Sequence, residues 1–196
     1  MATLAKLSSN MPTCPSEIVT HRLRLRRLKE SDTDAFIVMN ADVNVMQFFP
    51  HPWSIEESKA ALSRIQQAFD DRGFGIYAIE ASDTFLGIVG LSVPSFDAPF
   101  TPCVEILWRL SFPSWGKGFA TEAAGAVLRM AFQTLSLEEV IAFTTRNNLR
   151  SIGVMKKLGM VRDQDGDFDH PAIQEASLKP HVLYRVSAAS QHLNDD

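Results

Sequence analysis

The chain has 196 residues, enough for one ordinary domain that buries a full core without metals or disulfides. Apolar residues make up 45% and charged residues 21%, the mixture of a soluble globular chain, and a formal net charge of -4 lacks the basic footprint of a nucleic-acid binder. No apolar run reaches about 18 residues, which excludes a transmembrane helix, and two cysteines, Cys14 and Cys103, make neither a disulfide framework nor a metal cluster. Residues 1–16 carry Lys6, Ser8, Ser9, Asn10, Pro12 and Pro15 without the apolar core of a signal peptide. They are expected to form a loose leader on a cytoplasmic protein, followed by one domain over 17–187 and a tail over 188–196.

In chain order, Arg22-Leu23-Arg24-Leu25-Arg26 alternates with period two and reads as a half-buried strand whose arginines form a solvated face. Ser31-x-x-Asp34 resembles a capping box and opens a helix through Ala35, Phe36 and Met39. Ser54-x-x-Glu57 is a second box, heading a helix with Leu62, Ile65 and Phe69 on its apolar face. Between them, Phe48-Phe49-Pro50-His51-Pro52-Trp53 is an aromatic loop, suited to a core plug or to part of a substrate pocket. Residues 74–80 and 85–91 read as strands joined by the hairpin loop Ala81-Ser82-Asp83-Thr84. Gly87 and Gly90 mark a bulge or a close approach in the second strand. A proline-bearing loop over 93–102 leads to a strand over 104–110. A helix over 118–135 follows, striped by Ala124, Val127, Leu128, Ala131 and Leu135. Then come a strand over 139–145, a helix over 148–158 ended by Gly159, a polar loop over 163–179 and a last strand over 181–186. This order predicts the α/β class, with a mixed central sheet flanked by helices.

The chemistry sits in Trp115-Gly116-Lys117-Gly118-Phe119-Ala120-Thr121, where a strand ends and a helix begins. The first turn of a helix has backbone N–H groups without partners, its dipole adds positive charge, and glycines let an anion come close; together these form a phosphate cradle. A nucleoside triphosphate loop would end Gly-Lys-Ser/Thr, but Phe119 follows Gly118. A dinucleotide loop would place glycine where Thr121 stands, with an acidic strand end about 20 residues on, and none is evident. The remaining class is the pyrophosphate of coenzyme A.

Here the sequence resembles the GNAT superfamily of N-acetyltransferases, and within it the RimJ/RimL type. The family pattern is Gln/Arg-x-x-Gly-x-Gly/Ala; Gly118 and Ala120 match its last two fixed positions and Trp115 takes the Gln/Arg place. Arg22-Leu23-Arg24-Leu25-Arg26 and Asn148-x-x-Ser151-x-x-Val154-x-x-Lys157-Leu158-Gly159-Met160 add to the likeness, which spans about residues 19–186. The resemblance implies a GNAT-like fold and acetyl-CoA as cosubstrate. It implies that the backbones of Leu110 and Phe112 pair with the pantetheine arm, and that Asn148 bonds the same arm from the facing helix. The pyrophosphate would be held by backbone N–H groups of Gly116, Lys117, Gly118, Phe119 and Ala120 with the Thr121 hydroxyl. The Lys117 side chain either adds a charge near phosphate or is merely solvated.

Acetyl transfer needs a neutral amine, and an α-amino group of pKa about 7.7–8.0 needs less help from a base than a lysine at about 10.4. Glu105 stands where the family often has a catalytic carboxylate; it serves as base or water relay, or else pairs with Arg109 on the same strand face. The resemblance places a tyrosine acid where Met155 stands, so Ser151 is the substitute acid, unless it is a plain helix serine. Cys103, with no histidine beside it, reads as packed and inert. The residues from Asp167 to His181 read as a loop that shapes the acceptor pocket, with His170 near the acceptor, rather than as a metal site.

The expected function is acetyl transfer from acetyl-CoA to a primary amine, first a protein or peptide N-terminal α-amine, by direct attack in a ternary complex. The alternatives are a small-molecule amine acetyltransferase and a non-catalytic acyl-CoA-binding module. Expected partners are acetyl-CoA and an amine acceptor, with no nucleic acid, no membrane and, by analogy with RimL-like proteins, a homodimer.

Overall fold

Near-continuous apolar runs bury the strands Ile76–Ala81 and Thr84–Ser92 on both faces, and helices cover both. The computed structural model describes residues 13–191. The strands are β1 (Glu17–Val19), β2 (Arg24–Arg27), β3 (Ile76–Ala81), β4 (Thr84–Ser92), β5 (Glu105–Leu110), β6 (Glu139–Thr145), β7 (Val161–Asp169) and β8 (Pro180–Ser187). The helices are α1 (Thr33–Ala41), α2 (Ile55–Arg72), α3 (Phe119–Gln133), α4 (Leu149–Lys157) and the short α5 (Ala188–Gln191). The strands form an eight-stranded sheet in the order β1-β2-β3-β4-β5-β6-β8-β7. This is the mixed sheet flanked by helices that the element order predicts.

One face of the sheet, through Val89, Leu91, Ile106 and Val140, packs on the small residues Ala123, Ala124 and Ala131 of α3. The intervening positions Ala78 and Ile88 turn the other way, against Phe36 and Met39 of α1 and Leu62 of α2. The Ser54 capping box forms as read, with Glu57 N–H donating to Ser54 Oγ and Ser54 N–H to Glu57 Oε2. The β3–β4 hairpin turns on Ser82 and Asp83, both with positive φ. Gly87 lies where a side chain would meet the Arg109 carbonyl, so close approach is its reason. No helix of the described residues is long and apolar enough to cross a membrane.

All neighbouring strands run antiparallel except β5 and β6, which run parallel and pair only at Glu105↔Ile141. Ile141 N–H donates to the Val104 carbonyl at 3.0 Å. Past that point the two strands part and leave a gap that opens toward their C-terminal ends.

Several sequence expectations need correction. The first part of the polar loop over 163–179 is a strand, β7, which ends at Asp169, pairs with β8 and is broken by an irregularity between Asp163 and Phe168; only the remainder is loop. As an edge strand it is mostly solvated on both faces, so it shows no apolar alternation to read. Ser31 caps nothing: a tight turn over Glu30–Asp32 precedes α1, and the Asp32 carboxylate accepts the Lys29 N–H at 2.9 Å. Residues 13–16 are not loose. Cys14 is buried, its N–H donates to Gly73 O, and Pro15 O accepts the Tyr77 hydroxyl at 2.7 Å. The start of the expected tail is α5; the rest of the leader and tail, residues 1–12 and 192–196, lie outside the described residues.

The arginines of β2 are paired rather than merely solvated. Arg26 is buried, with Nη1 and Nη2 on Asp32 at 2.7 and 2.8 Å and Nε on Glu80 Oε2 at 2.7 Å. Burial pushes both carboxyls up, but the Arg26 hydrogen bonds together with the charges of Arg26 and Lys29 outweigh it, and both sit below their usual range. Removing Asp32 leaves the buried Arg26 with Glu80 alone, so Asp32→Ala is expected to lower unfolding stability by about 3 kcal/mol in urea titration. Because both folded carboxyl pKa values are depressed, this stabilisation is complete above the unfolded values near pH 4 and fades as pH falls through the folded ones. A loss unchanged between about pH 7 and pH 3 would contradict it.

Candidate active site

Strand β5 carries the site. Its ladder with β4 runs from Ser92↔Glu105 to Gly87↔Leu110, and Ser111 N–H extends it to Leu86 O at 2.9 Å. Alternate residues of an antiparallel strand turn their backbone groups to opposite edges. Trp108 and Leu110 therefore aim theirs into the gap beside β6. The Leu110 carbonyl accepts the Trp115 indole N–H at 2.8 Å. The Trp108 groups and the Leu110 N–H have no strand across from them.

After β5 a single turn, Phe112–Ser114, leads into the glycine loop and α3. Gly118 is the N-cap of α3 in the left-handed region, φ 80 and ψ 0, a conformation that a side chain would strain. The first bond of α3 runs from Glu122 N–H to Gly118 O at 3.0 Å. Among the described residues, the backbone N–H groups from Gly116 to Thr121 donate to nothing. A run of unpartnered donors at the positive end of a helix fits a diphosphate. Arg22 holds this loop in place: Nε reaches Glu122 Oε2 at 2.6 Å, Nη1 reaches Lys117 O at 2.9 Å, and the guanidinium lies over the Phe119 ring at 4.8 Å.

Loop, β5, β6 and α4 enclose a cavity of about 790 Å³. The sequence-predicted residues Glu105, Leu110, Gly116, Gly118, Phe119, Ala120, Thr121, Asn148 and Ser151 all line it. Phe112 and the Lys117 side chain do not. Phe112 is exposed and stands edge-on to Trp115, and Lys117 is exposed, with only its carbonyl engaged by Arg22. Asn148 caps α4. Its Oδ1 accepts Ser151 N–H at 3.2 Å, and its Nδ2 donates to Thr144 Oγ1 at 3.0 Å and Ser151 Oγ at 3.1 Å. Both amide protons are thus spent inside the protein, while Ser151, an acceptor there, keeps its own proton to give. Met155 is buried and lines the cavity floor.

Glu105 makes no ion pair among the described residues, so the pairing with Arg109 does not form. What surface it keeps belongs to the cavity. Burial pushes its carboxyl up to about 7, against a single lowering hydrogen bond from Ser92. Arg109 points into the same cavity, and burial lowers it to about 10. His170 and His181 also line the cavity, with ring centroids 5.1 Å apart, and burial keeps both below the usual histidine range. His181 Nδ1 lies 2.9 Å from Lys179 O; a carbonyl only accepts, so the proton is on Nδ1 and Nε2 carries a lone pair. The aromatic loop serves both of its expected uses: Phe49 and Trp53 pack on the second core, while Phe48, Phe49 and Pro50 line the cavity. Cys103 is buried and its thiol is pushed up to about 12, first by burial and then by Glu105, which leaves it inert. Sequence reasoning missed Arg22 and Asn40, whose partners lie far along the chain; two charges on one inward strand face, Glu105 and Arg109, were the available signal for Arg109.

The family model described as Acetyltransferase (GNAT) domain matches residues 22–161. The N-acetyltransferase YnaD of Bacillus subtilis (strain 168), itself uncharacterized, is 29% identical over 146 residues, which is 74% of this chain and 83% of that protein. Two solved structures share the fold. A spermidine N-acetyltransferase from Vibrio cholerae in complex with CoA and spermine has a TM-score of 0.70 at 17% identity, covering 88% of this chain and 99% of that one. RimL, a ribosomal-protein alpha-N-acetyltransferase in complex with coenzyme A, has a TM-score of 0.71 at 15% identity, covering 87% and 96%.

Gly118→Val puts a Cβ in tight contact with Arg22 Nη2, 3.3 Å away, at a positive φ that a β-branched residue avoids. Calorimetry is expected to show acetyl-CoA affinity lowered by about tenfold or more, about 1.4 kcal/mol. Unchanged affinity would move the phosphates elsewhere.

Proposed function

The chain belongs to the GNAT acetyltransferase family and is an acetyl-CoA-dependent N-acetyltransferase, and on that footing we propose that it acetylates a primary amine, foremost a peptide or protein N-terminal α-amine, by direct attack in a ternary complex. The observation that carries this reading is a half-buried carboxyl, Glu105, that lines the cavity where β5 and β6 part and makes no ion pair among the described residues; burial pushes it up to about 7. A base poised near the working pH combines the right protonation state with a useful driving force.

Acetyl-CoA supplies the activated thioester. The N–H groups of Gly116, Lys117, Gly118, Phe119 and Ala120 and the Thr121 hydroxyl hold the pyrophosphate. The exposed Lys117 side chain adds charge outside the loop. The edges of Trp108 and Leu110, continued by the Phe112 backbone, pair with the pantetheine arm; from α4, Asn148 offers that arm its second Oδ1 lone pair. Glu105 takes the proton the amine loses as nitrogen bonds to the acetyl carbon. The Ser151 hydroxyl gives its proton to the leaving thiolate, a role Met155 cannot fill.

Two outcomes test these roles with a thiol-release assay. Glu105 accepts a proton only when ionised, so kcat/KM is expected to rise with pH through about 7. Glu105→Gln should lose that inflection and fall about a hundredfold above it, keeping only the titration of the amine itself. An inflection that survives the substitution would assign it to another group. Ser151→Ala should lower kcat about tenfold or more with acetyl-CoA affinity unchanged; unaltered kcat would leave the thiolate to depart without an acid.

A further inference from the structure

Beside Glu105 on the same strand face, the cavity is lined by a second charged residue, Arg109 of β5. Its guanidinium lies between the rings of Phe49, 4.3 Å away, and Trp53, 4.4 Å away. Nη1 donates to Asn40 Oδ1 at 2.5 Å, and no carboxylate pairs with it. Its Nε and Nη2 have no partner among the described residues and are not sealed in protein. Asn40 is itself fully buried and its Nδ2 donates to nothing.

A buried arginine that served only to pin the aromatic loop would be expected to bring its own carboxylate, as Arg26 does with Asp32 and Glu80. Arg109 has a neutral amide and two rings instead, and the missing anion is on the cavity side. We propose that Arg109 binds a carboxylate carried by the amine acceptor, so that this site selects acidic amine substrates and rejects polycations. The planar guanidinium suits a carboxylate, which its two spare N–H directions can grip together. Glu105 lies four residues back on the same strand face, about 13 Å at the Cα atoms for an extended strand. Both residues line the cavity, so one acceptor that carries an amine and a carboxylate can present the amine toward Glu105 and the carboxylate toward Arg109. The inference rests on the acetyltransferase reading above and names its substrate class.

The test is a panel of matched acceptors given to the full chain with saturating acetyl-CoA: amino acids against their amides, dipeptides bearing Asp or Glu against Asn or Gln in the first two positions, and spermidine. The expected result is a preference of about tenfold to a hundredfold in kcat/KM for the carboxylate member of each pair. Amino-acid pairs report an α-carboxylate, peptide pairs an acidic side chain. Arg109→Met should abolish the ratio with acetyl-CoA affinity unchanged by calorimetry; Arg109→Lys, which keeps the charge but not the fork, should retain a reduced ratio and covers the case in which the methionine variant fails to fold. Turnover without preference, a preference for spermidine, or a ratio that survives in Arg109→Met or is undiminished in Arg109→Lys would overturn the inference. Acetyl-CoA binding with no turnover of any acceptor would instead overturn the acetyltransferase reading on which it stands.

Discussion

Between β5 and β6 the sheet's ladder stops almost as soon as it starts. The two strands are parallel, meet at Glu105↔Ile141, and then diverge. An unpaired backbone edge inside a protein is costly unless something covers it. Here the divergence leaves Trp108 and Leu110 facing a cavity, with α4 on its far side and the α3 loop across its mouth. Every part of the site is arranged around that gap. The last paired position is Glu105 itself, so the carboxyl stands at the point where the sheet opens, deep enough for burial to raise its pKa to about 7.

The glycine loop shows how a distant contact completes a local motif. Gly116 and Gly118 give the backbone its positive φ, but a loop with no internal bonds from Gly116 to Thr121 has little to hold it still. Arg22 and Glu122 supply that restraint from a hundred residues apart in sequence. Arg22 bonds Glu122 in the first turn of α3 and the Lys117 carbonyl in the loop, fixing both ends of the cradle. Glu122 also takes the Thr20 hydroxyl and stays ionised below its usual range: burial pushes it up, but the bonds from Thr20 and Arg22 more than offset this.

Much of the fold was legible because its elements bury apolar residues at regular spacing. The alternation of β2 to β5, the Ser54 box and the stripe of α3 translate directly into buried faces. β7 was not legible, because an edge strand with solvent on both sides has no pattern for period-two reading to detect. The glycine loop between β5 and α3 was legible through two glycines and the order of strand and helix. The cation face of the acceptor site was only half so: alternation put Glu105 and Arg109 on one face, yet whether they pair or stand apart depends on Asn40, Phe49 and Trp53, which only the fold brings together. Likewise the spacing of Asn148 and Ser151 put both at the start of α4 without revealing that the asparagine's amide protons are consumed by Thr144 and Ser151.

Backbone amide hydrogen exchange with and without coenzyme A tests the account most directly, because its central claim concerns N–H groups that lack partners until the ligand arrives. Saturating coenzyme A should slow exchange at Trp108, Leu110 and from Gly116 to Thr121, and leave β2 and β3 unchanged. Exchange in those segments that is indifferent to coenzyme A, with protection appearing elsewhere, would contradict it.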